Sequence, residues 1–178
     1  MGELETYEVI DNFLHPLLFN EIKSTIVFNS SFPLFIVTDV VAEDSEEYSL
    51  RENWWNFYFV HKLYDNDKPY SHYFDDLSSR ILPSLYEKGG MKSLMRMKIN
   101  YYPPTETLRE HGKHQDDIYS HKAAVFSLNT CDGFTRMEDG TKIDSVENRL
   151  LIFDGISFHN SSTTTNTKGR YNINLNFL

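Results

Sequence analysis

The sequence predicts a mainly β protein with its helices gathered towards the N-terminal end. From Leu94 onward helical periodicity disappears, and short strand-like segments are separated by Pro103-Pro104, Asp132-Gly133, Asp139-Gly140 and Asp154-Gly155. There are about eight such segments, at the spacing of an all-β sandwich or jelly roll. Before Leu94, two stretches carry apolar residues at helical spacing. At 178 residues the chain fits one domain, 1–178. Residues 1–93 form a helical support region with one or two strands, and 94–178 form the β core.

In chain order, residues 7–10 read as a short strand and Asp11-Asn12 as a turn. Pro16 suits the first turn of a helix running to about Phe28, with Leu17, Leu18, Ile22 and Ile26 as its buried stripe. Residues 43–47 form an acidic loop. The aromatic stretch 54–63 is strand-like, and its Trp54-Trp55 pair is expected in the core. A second helix covers residues 70–86, closed by Gly89-Gly90 as a left-handed stop.

Composition excludes several classes. The chain is 40% hydrophobic with 13 Phe and 11 Tyr, ample for a core. No run reaches the roughly 18 apolar residues of a membrane span. Glu3, Glu5 and Glu8 are unlike the basic start of a signal peptide. The single cysteine, Cys131, excludes an internal disulfide framework, and a reducing, cytoplasmic setting is expected. A formal charge of −9 opposes broad capture of nucleic acid. Lys88, Lys92, Arg96 and Lys98 form a basic cluster in sequence, read as a solvated edge.

The chemistry-bearing residues are His114-Gln115-Asp116, His159 and, 11 residues later, Arg170. Two imidazoles and a carboxylate occupy one face of an octahedral metal and leave the other open, as in non-haem Fe(II) oxygenases. Arginine adds a permanently charged planar fork suited to an acid cosubstrate. A His-x-Asp alone is weak, so the flanking strands must carry the weight.

Side chains alternate along a strand. In residues 170–177, Tyr171, Ile173, Leu175 and Phe177 share an apolar face, and Arg170, Asn172, Asn174 and Asn176 share the other. Such a strand lies at a solvated edge or lines a polar cavity. Residues 96–102 repeat the split: Met97, Ile99 and Tyr101 oppose Arg96, Lys98, Asn100 and Tyr102. Solvated edges would need this coincidence twice, and a barrel with a polar interior needs it once. Residues 122–130 are apolar on both faces, as in a strand covered on both sides.

Together these residues resemble the 2-oxoglutarate/Fe(II) dioxygenase superfamily, in particular its prolyl 4-hydroxylase-like branch. The resemblance is carried by Asn100-Tyr101-Tyr102-Pro103, His114-Gln115-Asp116, Ser127-Leu128-Asn129 and Asp132-Gly133-Phe134-Thr135. It continues through Asn148-Arg149-Leu150-Leu151-Ile152-Phe153, His159 and Gly169-Arg170-Tyr171-Asn172. It implies a double-stranded β-helix (jelly-roll) core with Fe(II) held by His114, Asp116 and His159. It also implies 2-oxoglutarate bound by Arg170 and Tyr102, with Asn100 and Asn172 facing the same cavity. The implied reaction uses O2, with ascorbate as a possible aid. It hydroxylates an aliphatic C–H, first of all a prolyl or other side chain in a peptide or protein, and releases succinate and CO2. The chain departs from the family at Ser127, where some prolyl hydroxylases have tyrosine, and at Asn176, where AlkB-like enzymes have a second arginine. Two alternatives stand beside this reading: an AlkB-like oxidative demethylase of nucleic acid, and a non-catalytic metal-binding β-barrel. A small-molecule substrate is also open. His111 and His114, three apart on an extended strand, are expected to point to opposite faces, which disfavours a zinc site.

Overall fold

The computed structural model describes residues 7–38 and 54–178, so the acidic loop expected at 43–47 lies outside the described residues. The first described element is β1 (Glu8–Ile10), and Asn12, at φ 52°, turns it into α1 (Pro16–Ile26). Then come β2 (Phe35–Val37), β3 (Tyr58–Asp65), β4 (Lys68–Pro69) and α2 (Phe74–Gly89). The β-rich part follows: β5 (Leu94–Tyr102), β6 (Lys122–Ser127), β7 (Phe134–Met137), β8 (Lys142–Asp144), β9 (Leu150–Asp154), β10 (His159–Ser161) and β11 (Arg170–Phe177).

Helix α1 starts at the expected proline, and His15 caps it by accepting the Leu17 N–H on Nδ1. Its buried stripe differs from expectation. Phe19, Ile22 and Ile26 face inward, Leu17 is exposed and Leu18 is half-buried. Phe19 takes the inward place because its ring packs edge-on against Phe126, 5.9 Å away. Helix α2 begins four residues later than expected, because Asn66 and Asp67, both at positive φ, make a two-residue hairpin between β3 and β4. It ends at Gly90, at φ 70°, whose N–H returns to the Leu85 carbonyl.

The strands form an 8-stranded sheet, ordered β1-β9-β6-β11-β5-β3-β2 with β4 beside β3, and a 3-stranded sheet, ordered β10-β7-β8. Among the described residues four strands come from before Leu94, more than the one or two expected, and β1 and β3 extend the main sheet at both ends. Strand alternation then sorts the core. Met97, Ile99, Ala124, Phe126, Ile173, Leu175 and Phe177 pack under Ile22, Ile26, Leu77, Ile81 and Leu85 of the two helices. On the other face, Ala123, Val125, Leu151 and Phe153 meet Met137 of the small sheet. The space left between the two sheets holds the polar residues. Among the described residues, no helix is long and apolar enough to cross a membrane.

The tryptophan pair does not join either core cluster. Trp54 is exposed in the turn before β3, and Trp55 is half-buried, its ring 5.5 Å from that of His111. The basic cluster is not a surface patch either. Lys88 donates to the Phe13 carbonyl, Arg96 pairs with Asp116, and Lys98 turns inward between the sheets, leaving Lys92 exposed.

Candidate metal centre and its cavity

His114 and His159 are locked side by side by the backbone. Each N–H donates to the other's carbonyl at 2.9 Å, closing a small antiparallel bridge that sets the two rings 4.5 Å apart. Asp116 joins them because its N–H donates to the Gly155 carbonyl, in the turn leading to β10. One ligand atom from each of His114, Asp116 and His159 lies within 4.8 Å of the others. The three side chains predicted from distant parts of the sequence converge on one point.

Their hydrogen bonds fit a divalent cation. Nδ1 of His114 faces the Gly112 carbonyl and Nδ1 of His159 the Ser157 carbonyl, so both nitrogens donate. The lone pair of each ring is thereby placed on Nε2, the state a metal requires. Burial, then the nearby His159, pulls the His114 pKa down to about 4 and keeps that ring neutral. Burial alone would raise the Asp116 carboxyl. His159, Arg96, Lys98 and a bond from Asn176 outweigh it and hold the group below its ordinary value, as a carboxylate.

A small cavity of about 40 Å³ runs inward from this point between the two sheets, lined also by Asn100, Tyr102, Thr135 and Asn172. Arg170 closes its far end and is 1% exposed. Its Nε donates to Ser145 Oγ at 2.6 Å, one terminal nitrogen to the carbonyls of Phe134 and Ser162, and the other to Thr135 Oγ1. A guanidinium has five N–H donors, and these bonds use four. All four acceptors are neutral, so among the described residues this buried cation has no carboxylate partner. Burial pulls its pKa down, as expected for a charge without a counter-ion. Gly133 gives the arginine its room: a Cβ there would lie 2.9 Å from Arg170 Cδ and 2.7 Å from the Thr163 carbonyl.

Tyr102 lies beside the guanidinium, its ring 5.6 Å from Arg170 Cζ and stacked on Tyr58. Asn100 donates to Asn172 at 3.1 Å, which leaves Asn100 Oδ1 buried without a partner. Orphaned buried acceptors mark a cavity made for an occupant or water, because dry packing would leave them costly. Every site residue read from the sequence therefore lies on this one cavity.

Strand reading missed the groups that hold those residues in place. Ser145, Thr135 and the Phe134 carbonyl reach Arg170 from the small sheet and its loops. Arg96 and Asn176 bond the two oxygens of Asp116. Alternation had already put both on the inward face, which was the available signal. His111 also differs from expectation. The bridging segment pairs Glu110 with Ser162 but His114 with His159, a slip of one residue. The slip turns His111 inward with His114, its Nδ1 on Ser161 Oγ and its ring 5.3 Å from Tyr102. His111 is not among the three converging ligands.

No protein-family model matches the sequence, and no curated protein does so at a significant level. Solved structures do match. A prolyl-4-hydroxylase from Pseudomonas putida superposes with a TM-score of 0.61 at 16% identity, covering 97% of this chain and 92% of that one. A 2OG-Fe(II) oxygenase family oxidoreductase from Burkholderia pseudomallei gives 0.65 at 13% identity, covering 96% and 84%. A prolyl hydroxylase from Trichoplax adhaerens, in complex with a hypoxia-inducible-factor peptide fragment, gives 0.61 at 15% identity, covering 97% and 83%. With two helices backing the large sheet and a polar cavity between the sheets, the chain has the jelly-roll fold of these 2-oxoglutarate/Fe(II) oxygenase structures, prolyl hydroxylases among them.

Proposed function

We propose that this protein is an Fe(II)- and 2-oxoglutarate-dependent dioxygenase that hydroxylates an aliphatic C–H, first of all in a prolyl or other side chain of a peptide or protein. One observation carries the reading: three converging ligands with their imidazole lone pairs turned inward share a cavity with a buried arginine that lacks an anion. Metal and dicarboxylate sites are thus offered at opposite ends of one polar slot. His114, Asp116 and His159 would hold iron by one face. Arg170, with its unused N–H and its charge, would take the distal carboxylate of the keto acid, and Tyr102 would flank it. When bound, iron and 2-oxoglutarate supply the oxidising chemistry with O2, giving succinate, CO2 and the hydroxylated product.

The protein's own contribution is binding, orientation and water exclusion. The backbone bridge between His114 and His159 fixes the ligand geometry before metal arrives, which lowers the reorganisation on binding. Tyr102, its ring stacked on that of Tyr58, is held in place on the wall of the slot.

Neither alternative gains a supporting observation. A nucleic-acid demethylase would draw on the basic cluster, which is broken up by Phe13, Asp116 and the cavity. A purely structural metal site has no reason to keep open positions or a buried cation beyond them. The test is direct: protein loaded anaerobically with Fe(II) should bind 2-oxoglutarate, and with O2 it should release succinate. Folded, metal-loaded protein that binds no 2-oxoglutarate would end this reading.

A further inference from the structure

The pairing of β11 with β5 divides the cavity wall into rows. Arg170 faces Tyr102, Asn172 faces Asn100, Asn174 faces Lys98 and Asn176 faces Arg96. At about 3.4 Å per residue, successive inward rows lie about 7 Å apart. The first two rows belong to the proposed keto-acid slot. The last serves Asp116, with Arg96 on one oxygen and Asn176 on the other. The row of Asn174 and Lys98 has no assigned role; it lines the cavity of the three ligands, between the keto-acid rows and the row that holds Asp116.

Lys98 is half-buried and lines the same cavity as His114, Asp116 and His159. Among the described residues its ammonium has no hydrogen-bond acceptor and no carboxylate within 4.0 Å; its neighbour is the Tyr58 ring, 5.9 Å away. Asp116, the acid nearest along the wall, is already engaged by Arg96 and Asn176. The Oδ1 atoms of Asn174, across the strand pair, and of Asn100, one row inward, are buried and unpartnered. Burial, then the charge of Arg96, lowers the lysine's pKa to about 8, the behaviour of a cation short of a counter-ion. The unpaired ammonium on this wall is what calls for an anion; the two open acceptors beside it call for a donor, from water or from another group of the same ligand.

We propose that Lys98 is a carboxylate-binding residue at the metal end of the cavity, a second anion anchor about two rows from Arg170. The proposal rests on the reading above for where the metal lies. Two acids carry the required chemistry: the metal-side carboxylate of a 2-oxo acid, and an acidic group on the substrate.

The experiment is calorimetric titration of the Mn(II)-loaded parent, Lys98→Met and Lys98→Arg proteins. The ligands are 2-oxoglutarate and 2-oxobutyrate, which lacks the distal carboxylate, and acetate added to protein saturated with 2-oxoglutarate. Lys98→Met is expected to weaken both keto acids by a similar factor, about tenfold or more, because one charge-assisted bond is lost. Lys98→Arg, which keeps the charge, should stay within about threefold of the parent. If both keto acids bind Lys98→Met normally but acetate binding is lost, the anchor serves an acidic substrate. Lys98→Met protein that is folded by its melting curve and binds all three acids as the parent does overturns the proposal. Should Lys98→Met fail to fold, Lys98→Gln is measured in its place. A parent that takes up Mn(II) but not 2-oxoglutarate overturns the keto-acid reading instead, and acetate on the Mn(II) protein then decides the role of Lys98.

Discussion

Asn176 places its amide nitrogen 3.0 Å from Oδ2 of Asp116, across 60 residues of sequence. The same nitrogen lies 2.8 Å from His121 Nε2, and Arg96 Nε donates to the Asn176 carbonyl oxygen at 3.0 Å. The chain of bonds is consistent in direction. His121 Nδ1 faces the Tyr119 carbonyl and so donates, leaving Nε2 to accept one amide hydrogen while Asp116 accepts the other. With Arg96 on its second oxygen, the carboxylate is held in one orientation without any metal.

Asn176→Leu keeps the volume and removes that donor. Groups that orient a metal's ligands are worth about 10–100-fold in metal affinity. Titration of the variant with Mn(II) should show a loss in that range, and the melting temperature should fall as well, because His121 Nε2 and Arg96 Nε lose their partner. Unchanged affinity would mean that Arg96 alone orients Asp116.

Removal of the carboxylate itself should be more drastic. A metal that binds only the folded state at a hundred times its Kd stabilises it by about 2.7 kcal/mol. For a domain of this size that raises the melting temperature by roughly 5–10 °C. The parent should show this rise with Fe(II) or Mn(II), and Asp116→Ala should lose it. An equal rise in Asp116→Ala would place the metal elsewhere.

Glu110 makes a pH prediction away from the metal. Hydrogen bonds from Arg136 hold its pKa down to about 2, against burial and with help from Asn160. Its folded-state pKa is depressed, so its contribution is complete above the ordinary value near 4.5 and fades as pH falls towards 2. Arg136→Gln should therefore be less stable than the parent at pH 6, with the gap narrowing below about 4.5 and shrinking in high salt. Urea unfolding across that range measures it. A gap that stays constant with pH would show that Arg136 acts through packing on Phe134 rather than through the pair.

Period-two alternation made much of this readable from sequence. It put Arg170, Asn172, Asn174 and Asn176 on one face and Arg96, Lys98, Asn100 and Tyr102 on another, and the sheet then sets those faces row against row. Contacts that depend on how the sheets stack were not readable. Ser145 and Thr135 meet Arg170 only once the small sheet lies over the large one. The inward turn of His111 depends on a one-residue slip between two irregular segments, which no local pattern encodes. On α1 the choice between Leu17 and Phe19 was readable: Phe19, three residues before Ile22, shares the face of Ile22 and Ile26, whereas Leu17, five before it, does not.

Gly133 links these levels, since a turn glycine legible in sequence sets the position of the buried arginine. A methyl group there would meet Arg170 Cδ at 2.9 Å and the Thr163 carbonyl at 2.7 Å, both closer than ordinary contact. The backbone oxygen cannot give way easily, so the arginine stem must move. Movement breaks a set of four bonds, and buried groups left without partners cost about 1–3 kcal/mol each. Gly133→Ala should thus lower the melting temperature and weaken 2-oxoglutarate by at least about tenfold, the usual cost of one misplaced charged bond. Mn(II) affinity should hold, because none of the three ligands touches this turn. Gly140→Ala is the control: it strains a residue at φ 89° but meets no atom within 4 Å, so it should cost stability alone. If Gly133→Ala bound 2-oxoglutarate as tightly as the parent, the position of Arg170 would not govern the acid, and the anchor would have to be sought at another cation of the cavity.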